Sequence, residues 1–454
     1  MPIPLRLAKL LIRLGVAQRL PAVRALLRGG TEYLHYFSDR VLMSPNTEIL
    51  ETQRHLASRM AGTIDLCVGA PQLPQLWKPL WEAVEGGVEA GYPPATGLAE
   101  LRECVAAKLA AENGVAVSPA DEITIVNGVH QAIALVFDTF VSPGDRVVLL
   151  DPSFLVYRLA LQSHRARVRY VPTEVVEGET RLDWDALERA LAGAKLLVLN
   201  SPGNPTGGVL GRETLERILS RAERHDVLVF SDEVYERFQY QGRHTSPAGL
   251  AGAARRTLTA SSLSKSHGMA GFRVGFLAGN RHLLAPVVAN QFLGTPFVPG
   301  MCQRLAIGAY RQRAGLFVPV LQEFRRRRDW MQRELCETGL ACPLPGGAFY
   351  LWCSVADTGL SGRKFAERLL AEKQVLVMPG EHFGPSGGDR IRVSYVGAEE
   401  ELATGLSRMR EFVSELGAAE DARNTRWLKG PHRRPRRQKS EVGSQKGTVR
   451  GGGP

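Results

Sequence analysis

Lys265 stands in a segment whose residue types suit both a bound phosphate and the chemistry of a reactive amine. The segment runs SSLSKSHGMAGFRVG from 261 to 275, so Ser262, Ser264 and Arg273 accompany the lysine. Glycines let a ligand approach the backbone closely, and hydroxyls beside an arginine suit a phosphate. An amine held next to a phosphate could form a Schiff base with an aldehyde cofactor, although a basic loop in solvent has a similar composition.

Four further groups of polar or aromatic residues each follow an apolar stretch of the chain. They are NGVHQ at 127–131, DPSF at 151–154, NSPGNPTG at 200–207 and SDEVY at 231–235. Ligands of an open α/β sheet lie outside the carboxyl ends of its strands, so these groups are predicted to meet near Lys265. The first group opens a helix, where free backbone N–H groups favour an anion. Each group alone could be a turn, a helix cap or a surface charge, whereas their common position at strand ends indicates one site.

Apolar, β-branched stretches that alternate with helical patterns must position these groups. The candidate strands are 123–126, 146–150, 167–172, 195–199, 227–231, 256–260 and 274–278, and the helices between them include 129–140, 153–162, 183–191 and 212–225. The alternation predicts an α/β fold with a mostly parallel, seven-stranded sheet buried on both faces.

The pattern changes after residue 300 and indicates a smaller α+β domain. An arginine-rich helical stretch at about 300–338 comes first, followed by a helix at 363–372, strands at 375–378 and 390–395, and a closing helix at 398–417. Upstream of the large sheet, a helix is predicted at 47–60, a short strand at 64–68 and an amphipathic helix at 97–112.

The basic charge of the chain lies at its ends. The formal net charge is +11, yet residues 1–40 hold seven Lys and Arg against two acids, and residues 421–454 hold ten against two. The body is therefore almost neutral, and we expect no nucleic-acid function beyond non-specific contacts of the basic tail.

Cysteine usage and hydropathy indicate a soluble protein of a reducing compartment. The six cysteines are scattered, without a Cys-x-x-Cys pair, which argues against a disulfide framework or a zinc site. No apolar run approaches the roughly 20 residues that span a bilayer. The amphipathic segment at 4–28 lacks the features of a cleaved signal, and we predict a cytoplasmic protein.

Five motifs together resemble those of the class I/II aminotransferases, the fold-type I enzymes that depend on pyridoxal 5′-phosphate (PLP). The motifs are YPPATGLAELR, NSPGNPTG, SDEVYE, SLSKSHGMAGFRVG and RIRVSY, and the resemblance covers about residues 45–417. It implies a large PLP-binding domain and a smaller one. The expected divisions are an N-terminal basic arm at 1–45, small-domain residues at 46–90, the large domain at 91–298, the C-terminal small domain at 299–420 and a disordered tail at 421–454.

The resemblance implies a role for each residue around the cofactor ring. Lys265 would be the Schiff-base lysine and, once freed, the general base and acid. Asp232 would pair with the pyridine nitrogen and keep the ring an electron sink. Asn204 and Tyr235 would hydrogen-bond the phenolic oxygen, and Phe154 would stack on the ring.

The resemblance also implies how the phosphate and the substrate are held. The phosphate would rest on Gly128, Val129, Ser262, Ser264 and Arg273. Arg392 would clamp the substrate carboxylate, with Gly69 and Asn204 beside it. Tyr92 would reach the phosphate of a neighbouring subunit, which implies a homodimer with shared active sites.

The substrate side chain is the least determined feature. His130 could contact the phosphate or the substrate, or simply form a local hydrogen bond at its helix start. The stretch NQFLGTPF at 290–297 is apolar, which weakly favours a neutral or aromatic donor over aspartate. Cys67 beside the site is interpreted as a buried structural thiol.

The predicted activity is transfer of an amino group from an α-amino acid to a 2-oxo acid. The same residues would also serve a PLP-dependent lyase or synthase, because such reactions begin from the same bound state. A non-catalytic, PLP-binding regulator is the alternative from another class. The N-terminal 40 residues are short for the DNA-binding domain that such regulators usually carry.

Overall fold

A computed structural model describes residues 62–82, 91–312 and 314–428 of the chain. The predicted basic arm, the helix at 47–60 and residues 429–454 of the predicted tail lie outside these ranges. Within the described part, no helix combines the length and the apolar character that crossing a membrane requires.

The strands of the described residues form one large sheet and two small ones. In chain order they are β1 (Ile64–Asp65), β2 (Ile123–Val126), β3 (Arg146–Asp151), β4 (Arg167–Val176), β5 (Glu179–Leu182), β6 (Leu196–Asn200), β7 (Leu228–Asp232), β8 (Thr257–Ser262), β9 (Gly275–Ala278), β10 (Tyr350–Ser354), β11 (Val375–Leu376), β12 (Met378–Pro379) and β13 (Arg390–Ser394). The large sheet has the order β2-β9-β8-β7-β6-β3-β4-β5, β10-β13-β12 form a second sheet, and β1 pairs with β11.

The large sheet contains all seven predicted strands and one more. Strand β5 was missed in the prediction; it forms an antiparallel pair with β4. Strand β9 is antiparallel to both of its neighbours, β2 and β8, whereas the pairs between β8 and β4 are parallel. The prediction of an α/β fold with a mostly parallel sheet is therefore confirmed, with eight strands in place of seven.

The described helices pack against this sheet and against the two small ones. In chain order they are α1 (Pro74–Glu82), α2 (Ala99–Lys108), α3 (Val129–Phe140), α4 (Leu155–Ser163), α5 (Trp184–Leu191), α6 (Arg212–Arg224), α7 (Leu263–Ser266), α8 (Arg281–Leu293), α9 (Gly300–Arg311), α10 (Val318–Glu337), α11 (Gly362–Lys373) and α12 (Glu399–Leu428). Strand β3 shows the two faces: Val147 and Leu149 pack in one apolar cluster with α3, while Val148 and Leu150 pack in another with α5 and α6.

Two helix predictions need correction. The single stretch predicted at about 300–338 is two helices, α9 and α10, and Pro319 lies in the first turn of the second one, where a missing N–H leaves no partner unsatisfied. The last helix extends to Leu428, beyond its predicted end at 417 and into the segment predicted to be disordered from 421. Residues 418–428 contain neither glycine nor proline, so nothing local stops the helix.

One disulfide, between Cys342 and Cys353, contradicts the expectation of unpaired cysteines. Ala341 pairs with Ser354 across an antiparallel bridge, so the next residues inward, the two cysteines, face each other with a Cα–Cα distance of 4.4 Å. Cysteine spacing could not predict this pairing, because the two cysteines meet only when the chain reverses its direction before β10 and forms the antiparallel bridge.

Candidate active site

The predicted strand-end groups meet in one cleft of about 350 Å³ at the carboxyl edge of the large sheet. All predicted site residues line it except Gly128 and Tyr92; the lining ones are Gly69, Val129, His130, Phe154, Asn204, Asp232, Tyr235, Ser262, Ser264, Lys265, Arg273 and Arg392. Parallel strands explain the convergence, since β6, β7 and β8 are adjacent and end at the same edge.

Lys265 lies on the short helix α7, directly after β8, and its amine is largely enclosed. Its Nζ donates a hydrogen bond to the carbonyl oxygen of Gly69 at 2.6 Å. Burial, together with the nearby charges of Arg392 and Arg273, lowers the pKa of Lys265 to about 8 against the opposing charge of Asp232. A substantial fraction of the amine is therefore neutral near pH 8 and able to act as a nucleophile or a base.

Asp232 ends β7 at the floor of the cleft, where it is 3% exposed. Burial raises its pKa to about 6, although two hydrogen bonds oppose this rise. The Tyr157 hydroxyl donates to Asp232 Oδ2 at 2.5 Å, and the Val234 N–H donates to Oδ1 at 3.2 Å. Near neutral pH the carboxylate is charged, and it suits a protonated ring nitrogen.

Tyr157 is a site residue that sequence reasoning missed. It lines the cleft, its ring packs edge-on against Phe154 at 5.6 Å between centroids, and its hydroxyl reaches Asp232. A signal existed, because Tyr157 follows Phe154 by three positions at the start of α4 and three-residue spacing shares a helix face. An aromatic residue on an apolar helix is nevertheless usually a core residue, which is why the spacing alone did not single it out.

An anion cradle forms at the start of α3. Gly128 adopts φ +78°, a left-handed conformation that side chains disfavour, and precedes the first helical residue. A Cβ at this glycine would come 2.6 Å from Arg273 Nη2, so the guanidinium packs against bare backbone. Arg273 also donates to the carbonyl oxygens of Asn127 and Ala270 at 2.9 and 2.8 Å. The arginine and the free N–H groups of the helix start suit a phosphate.

The hydroxyls of the β8–α7 turn lie on the same side of the cleft. The Ser262 Oγ caps α7 by accepting the Ser264 N–H at 3.3 Å. The imidazole of His130, on the first turn of α3, also lines the cleft. Burial, followed by the charge of Arg273, lowers the pKa of His130, so this ring is neutral at pH 7.

Arg392 on β13 is a buried cation whose partners are neutral. Its Nη1 donates to Asn204 Oδ1 at 2.9 Å and its Nη2 donates to the Cys67 carbonyl at 2.8 Å, while Nε is buried without a partner. The guanidinium lies 4.3 Å from the ring centre of Tyr350 and 5.0 Å from that of Phe383. Among the described residues no carboxylate pairs with it, and a buried unpaired cation favours an anionic ligand such as a carboxylate.

Tyr350, the first residue of β10, is a second site residue missing from the prediction. It lines the cleft, and its hydroxyl lies 3.0 Å from that of Tyr235. Burial raises the pKa of Tyr235 well above its usual range, so its hydroxyl keeps its proton. Tyr350 follows Gly346, Gly347 and Phe349 in an apolar run, where an aromatic residue is ordinarily part of the core.

Tyr92 lies away from its own cleft. It is 88% exposed, and its ring stacks on Phe297 at 5.0 Å between centroids. The position is compatible with the expected contact to a neighbouring subunit.

The cleft fits a phosphorylated aromatic aldehyde such as PLP. An amine for the aldehyde, a carboxylate for a ring nitrogen, an aromatic side chain for the ring face and an anion cradle for the phosphate all border one space. The unpaired Arg392 leaves a second place for a carboxylate.

Comparison with known proteins agrees with this chemistry. The family model for aminotransferases of class I and II matches residues 61–409. The chain is 36% identical to aromatic-amino-acid aminotransferase 2 of Thermococcus litoralis, over 83% of this chain and 98% of the relative. It is 36% identical to an aspartate aminotransferase of Pyrococcus abyssi, over 79% and 94%. The crystal structure of an aromatic aminotransferase from Pyrococcus horikoshii superposes with a TM-score of 0.74 at 34% identity, over 80% of this chain and 98% of that one.

Replacing Tyr157 by phenylalanine is expected to raise the pKa of Asp232. A hydrogen bond to a charged group contributes about 1.5–3 kcal/mol, which corresponds to about one to two pH units. The wild-type apoprotein should bind PLP more weakly as the pH falls through about 6, because Asp232 gains a proton there. In Tyr157→Phe the same loss of affinity should begin about one to two units higher.

The measurement is the PLP dissociation constant between pH 5 and 9. Tyr240→Phe is the matched control, since it removes another buried tyrosine hydroxyl, one that donates to the Ala348 carbonyl away from Asp232. An identical pH midpoint in Tyr157→Phe and wild type would contradict the assignment.

Proposed function

This chain belongs to the class I and II aminotransferases, which are PLP-dependent enzymes, and from that premise we propose how its own residues perform amino-group transfer. The observation that carries the proposal is the meeting of Lys265, Asp232, Arg273 and Arg392 around a single cleft.

We propose that the described residues hold PLP at five points. Asp232 accepts a hydrogen bond from the protonated ring nitrogen, and Phe154 covers one face of the ring. Asn204 and Tyr235 donate to the phenolic oxygen, supported by the contact of 3.4 Å between Asn204 Nδ2 and the Tyr235 hydroxyl. Lys265 forms the covalent link to the aldehyde carbon.

The phosphate is assigned to the anion cradle of α3 and α7. The proposed contacts are the N–H of Val129, the hydroxyls of Ser262 and Ser264, and the guanidinium of Arg273. The N–H of Gly128 donates to the Val126 carbonyl at 2.7 Å, so we propose that Gly128 borders the phosphate through its bare backbone. The cradle combines a fixed cation with a helix N-terminus, so it holds a dianion without needing a flexible lysine.

The bound cofactor supplies an electron sink for the bond that breaks at the substrate Cα. Arg392 binds the α-carboxylate of the amino acid through two parallel hydrogen bonds, with Gly69 and Asn204 bordering that group. Lys265 Nζ would be the base that takes the proton from the substrate Cα and then the acid that delivers a proton to the cofactor's aldehyde carbon. Its pKa of about 8 suits both directions of transfer near neutral pH.

We propose a neutral or aromatic amino acid as the donor. The described lining has four basic side chains, and three of them, Lys265, Arg273 and Arg392, have the roles assigned above. The fourth is His130, whose ring is neutral at pH 7 because its pKa is lowered. The remaining wall is mostly apolar, with Leu155 and Met378 among its residues and Asn200 as a neutral polar one. Relatives named for aromatic amino acids and for aspartate both occur, and the apolar wall favours the former class for this chain.

We further propose a homodimer with shared sites. Large apolar side chains are exposed near Tyr92 and along the end of α8, including Phe292 at 63% and Leu293 at 83%. Exposed apolar surface of this kind is typical of a protein interface. In the dimer, Tyr92 would donate to the phosphate held by the second copy.

Lys265→Ala is expected to abolish covalent attachment of PLP and to lower kcat by at least about 10⁴-fold, because both the nucleophile and the base are lost. The assay follows formation of the 2-oxo acid from the donor together with amination of an added acceptor. Borohydride treatment and peptide mass analysis locate the attached cofactor. Lys195→Ala is the control, since Lys195 is an exposed lysine paired with Asp145 and should leave both readouts unchanged. Full turnover by Lys265→Ala, or ammonia release without acceptor amination in the wild type, would contradict transamination.

Phenylalanine or leucine is expected to exceed aspartate as donor by at least about tenfold in kcat/KM. The reason is that the described residues of the cleft offer no further cation for the side-chain carboxylate of aspartate. His130→Asn should change the ratio of phenylalanine to aspartate turnover while leaving PLP affinity within about twofold. A preference for aspartate would refute the assignment of donor class. An unchanged ratio in His130→Asn would assign this side chain a local structural role.

Light scattering is expected to give a mass twice the 49.7 kDa of the chain. Tyr92→Phe should keep that mass and weaken PLP binding about tenfold or more, because a hydrogen bond to a charged phosphate is lost. A fully active monomer, or unchanged PLP affinity in the variant, would argue against sharing of the sites.

A further inference from the structure

Tyr350 connects the two sheets at the bottom of the cleft. It begins β10, which pairs with the strand of Arg392 so that Trp352 lies opposite that arginine. Only 2% of Tyr350 is exposed, and its hydroxyl points to Tyr235 on the loop after β7 at 3.0 Å. One side chain of the small sheet thus reaches a side chain that the large sheet positions.

Contacts among four residues close into a ring, which we call the site quartet: Arg392, Asn204, Tyr235 and Tyr350. The Arg392 guanidinium lies over the Tyr350 ring at 4.3 Å and donates to Asn204 Oδ1 at 2.9 Å. Asn204 Nδ2 lies 3.4 Å from the Tyr235 hydroxyl, whose other neighbour is the Tyr350 hydroxyl. Each member of the quartet therefore touches two others.

The quartet determines where the proton of Tyr235 can go. A tyrosine hydroxyl has one proton to donate and two lone pairs to accept with. When Asn204 and Tyr350 both donate to the Tyr235 oxygen, its lone pairs are used and its own proton is left for a group in the cleft. Without the Tyr350 hydroxyl, one lone pair of the Tyr235 oxygen has no donor, and the Tyr235 proton is no longer directed into the cleft.

The ring of Tyr350 has a separate task. Arg392 is buried, and its hydrogen bonds go to neutral oxygens. An aromatic face beneath a desolvated guanidinium attracts it electrostatically and fixes its plane. The hydroxyl of Tyr350 also occupies the space next to Gly69, where a Cβ would come within 2.1 Å of it. Tyr350 is therefore held at its ring face by Arg392 and at its hydroxyl end by the backbone of Gly69.

We propose that Tyr350 is a positioning residue with two separable parts: its ring orients Arg392 for the substrate carboxylate, and its hydroxyl directs the Tyr235 proton to the cofactor. The inference rests on the proposed roles of Arg392 and Tyr235 and adds a residue that acts through both.

Two variants separate the two parts. Tyr350→Phe keeps the ring and removes the hydroxyl, so KM for the amino donor should stay within about twofold of wild type. The pH midpoint of the visible absorbance of bound PLP should rise by about half a unit to one unit. The reason is that the phenolic oxygen is more negative in the deprotonated form and loses a directed donor. Tyr350→Leu removes the ring as well, and its KM should rise about tenfold.

Tyr235→Phe gives the full spectral shift for comparison, and Tyr240→Phe controls for loss of a buried tyrosine hydroxyl outside the quartet. A midpoint in Tyr350→Phe equal to that of wild type and Tyr240→Phe would overturn the proposal, as would an equal rise of KM in both Tyr350 variants. The absorbance titration of Tyr350→Phe decides the first point even where Tyr350→Leu does not fold. A wild-type protein that aminates no 2-oxo acid would refute the proposed function itself, a result distinct from either of these.

Discussion

An excess of positive charge around one cleft, with the buried Arg392 at its centre, is the constraint on which the rest of this molecule depends. Lys265, Arg273 and Arg392 border a cleft whose described lining contains one carboxylate, Asp232. Arg273 and Arg392 both donate hydrogen bonds, but the acceptors are carbonyl and amide oxygens. Such neutral acceptors stabilise a cation without neutralising its charge. A buried charge without a counter-ion, as at Arg392, is costly, so the arrangement favours ligands that bring negative charge. Burial, and after it the charges of the two guanidinium groups, lowers the pKa of Lys265.

The order of the strands explains how these charges come together from distant parts of the chain. Strands β6, β7 and β8 are parallel neighbours, and in register Asn200 pairs with Asp232 and Asp232 with Ala260. The loops that follow them therefore open side by side. The antiparallel strand β9 then brings the chain back beside β8, and Arg273, two residues before β9, lies close to the start of α3. One sheet edge thus supplies the base, the carboxylate and the phosphate cradle.

Most of the fold and of the site could be predicted because their signals are local. A β-branched run followed by a loop with an unusual residue type identifies both a strand end and a candidate group, as at Asp232 and Lys265. Tyr157 and Tyr350 could not be found in this way, since each lies in an apolar run where an aromatic residue is ordinarily core. Their hydroxyls contact Asp232 and Tyr235, which lie 75 and 115 positions away in the chain, so no local pattern reveals these contacts. The Cys342–Cys353 pair escaped for the same reason, because a chain reversal and not a motif makes it.

Side chains of the large sheet and of the sheet that carries Arg392 contact each other at the cleft. Arg392 belongs to the small sheet, and Asn204 follows a strand of the large one, yet they share a hydrogen bond of 2.9 Å. A carboxylate that binds Arg392 competes for the same guanidinium N–H groups that Asn204 and the Cys67 carbonyl now use. Asn204 in turn donates to the Tyr235 hydroxyl at 3.4 Å, so one side chain joins the guanidinium on the small sheet to the tyrosine that follows a strand of the large one. Arg392 and Tyr235 are therefore linked through side chains that are already in contact, and a coupling between them needs no movement of the backbone.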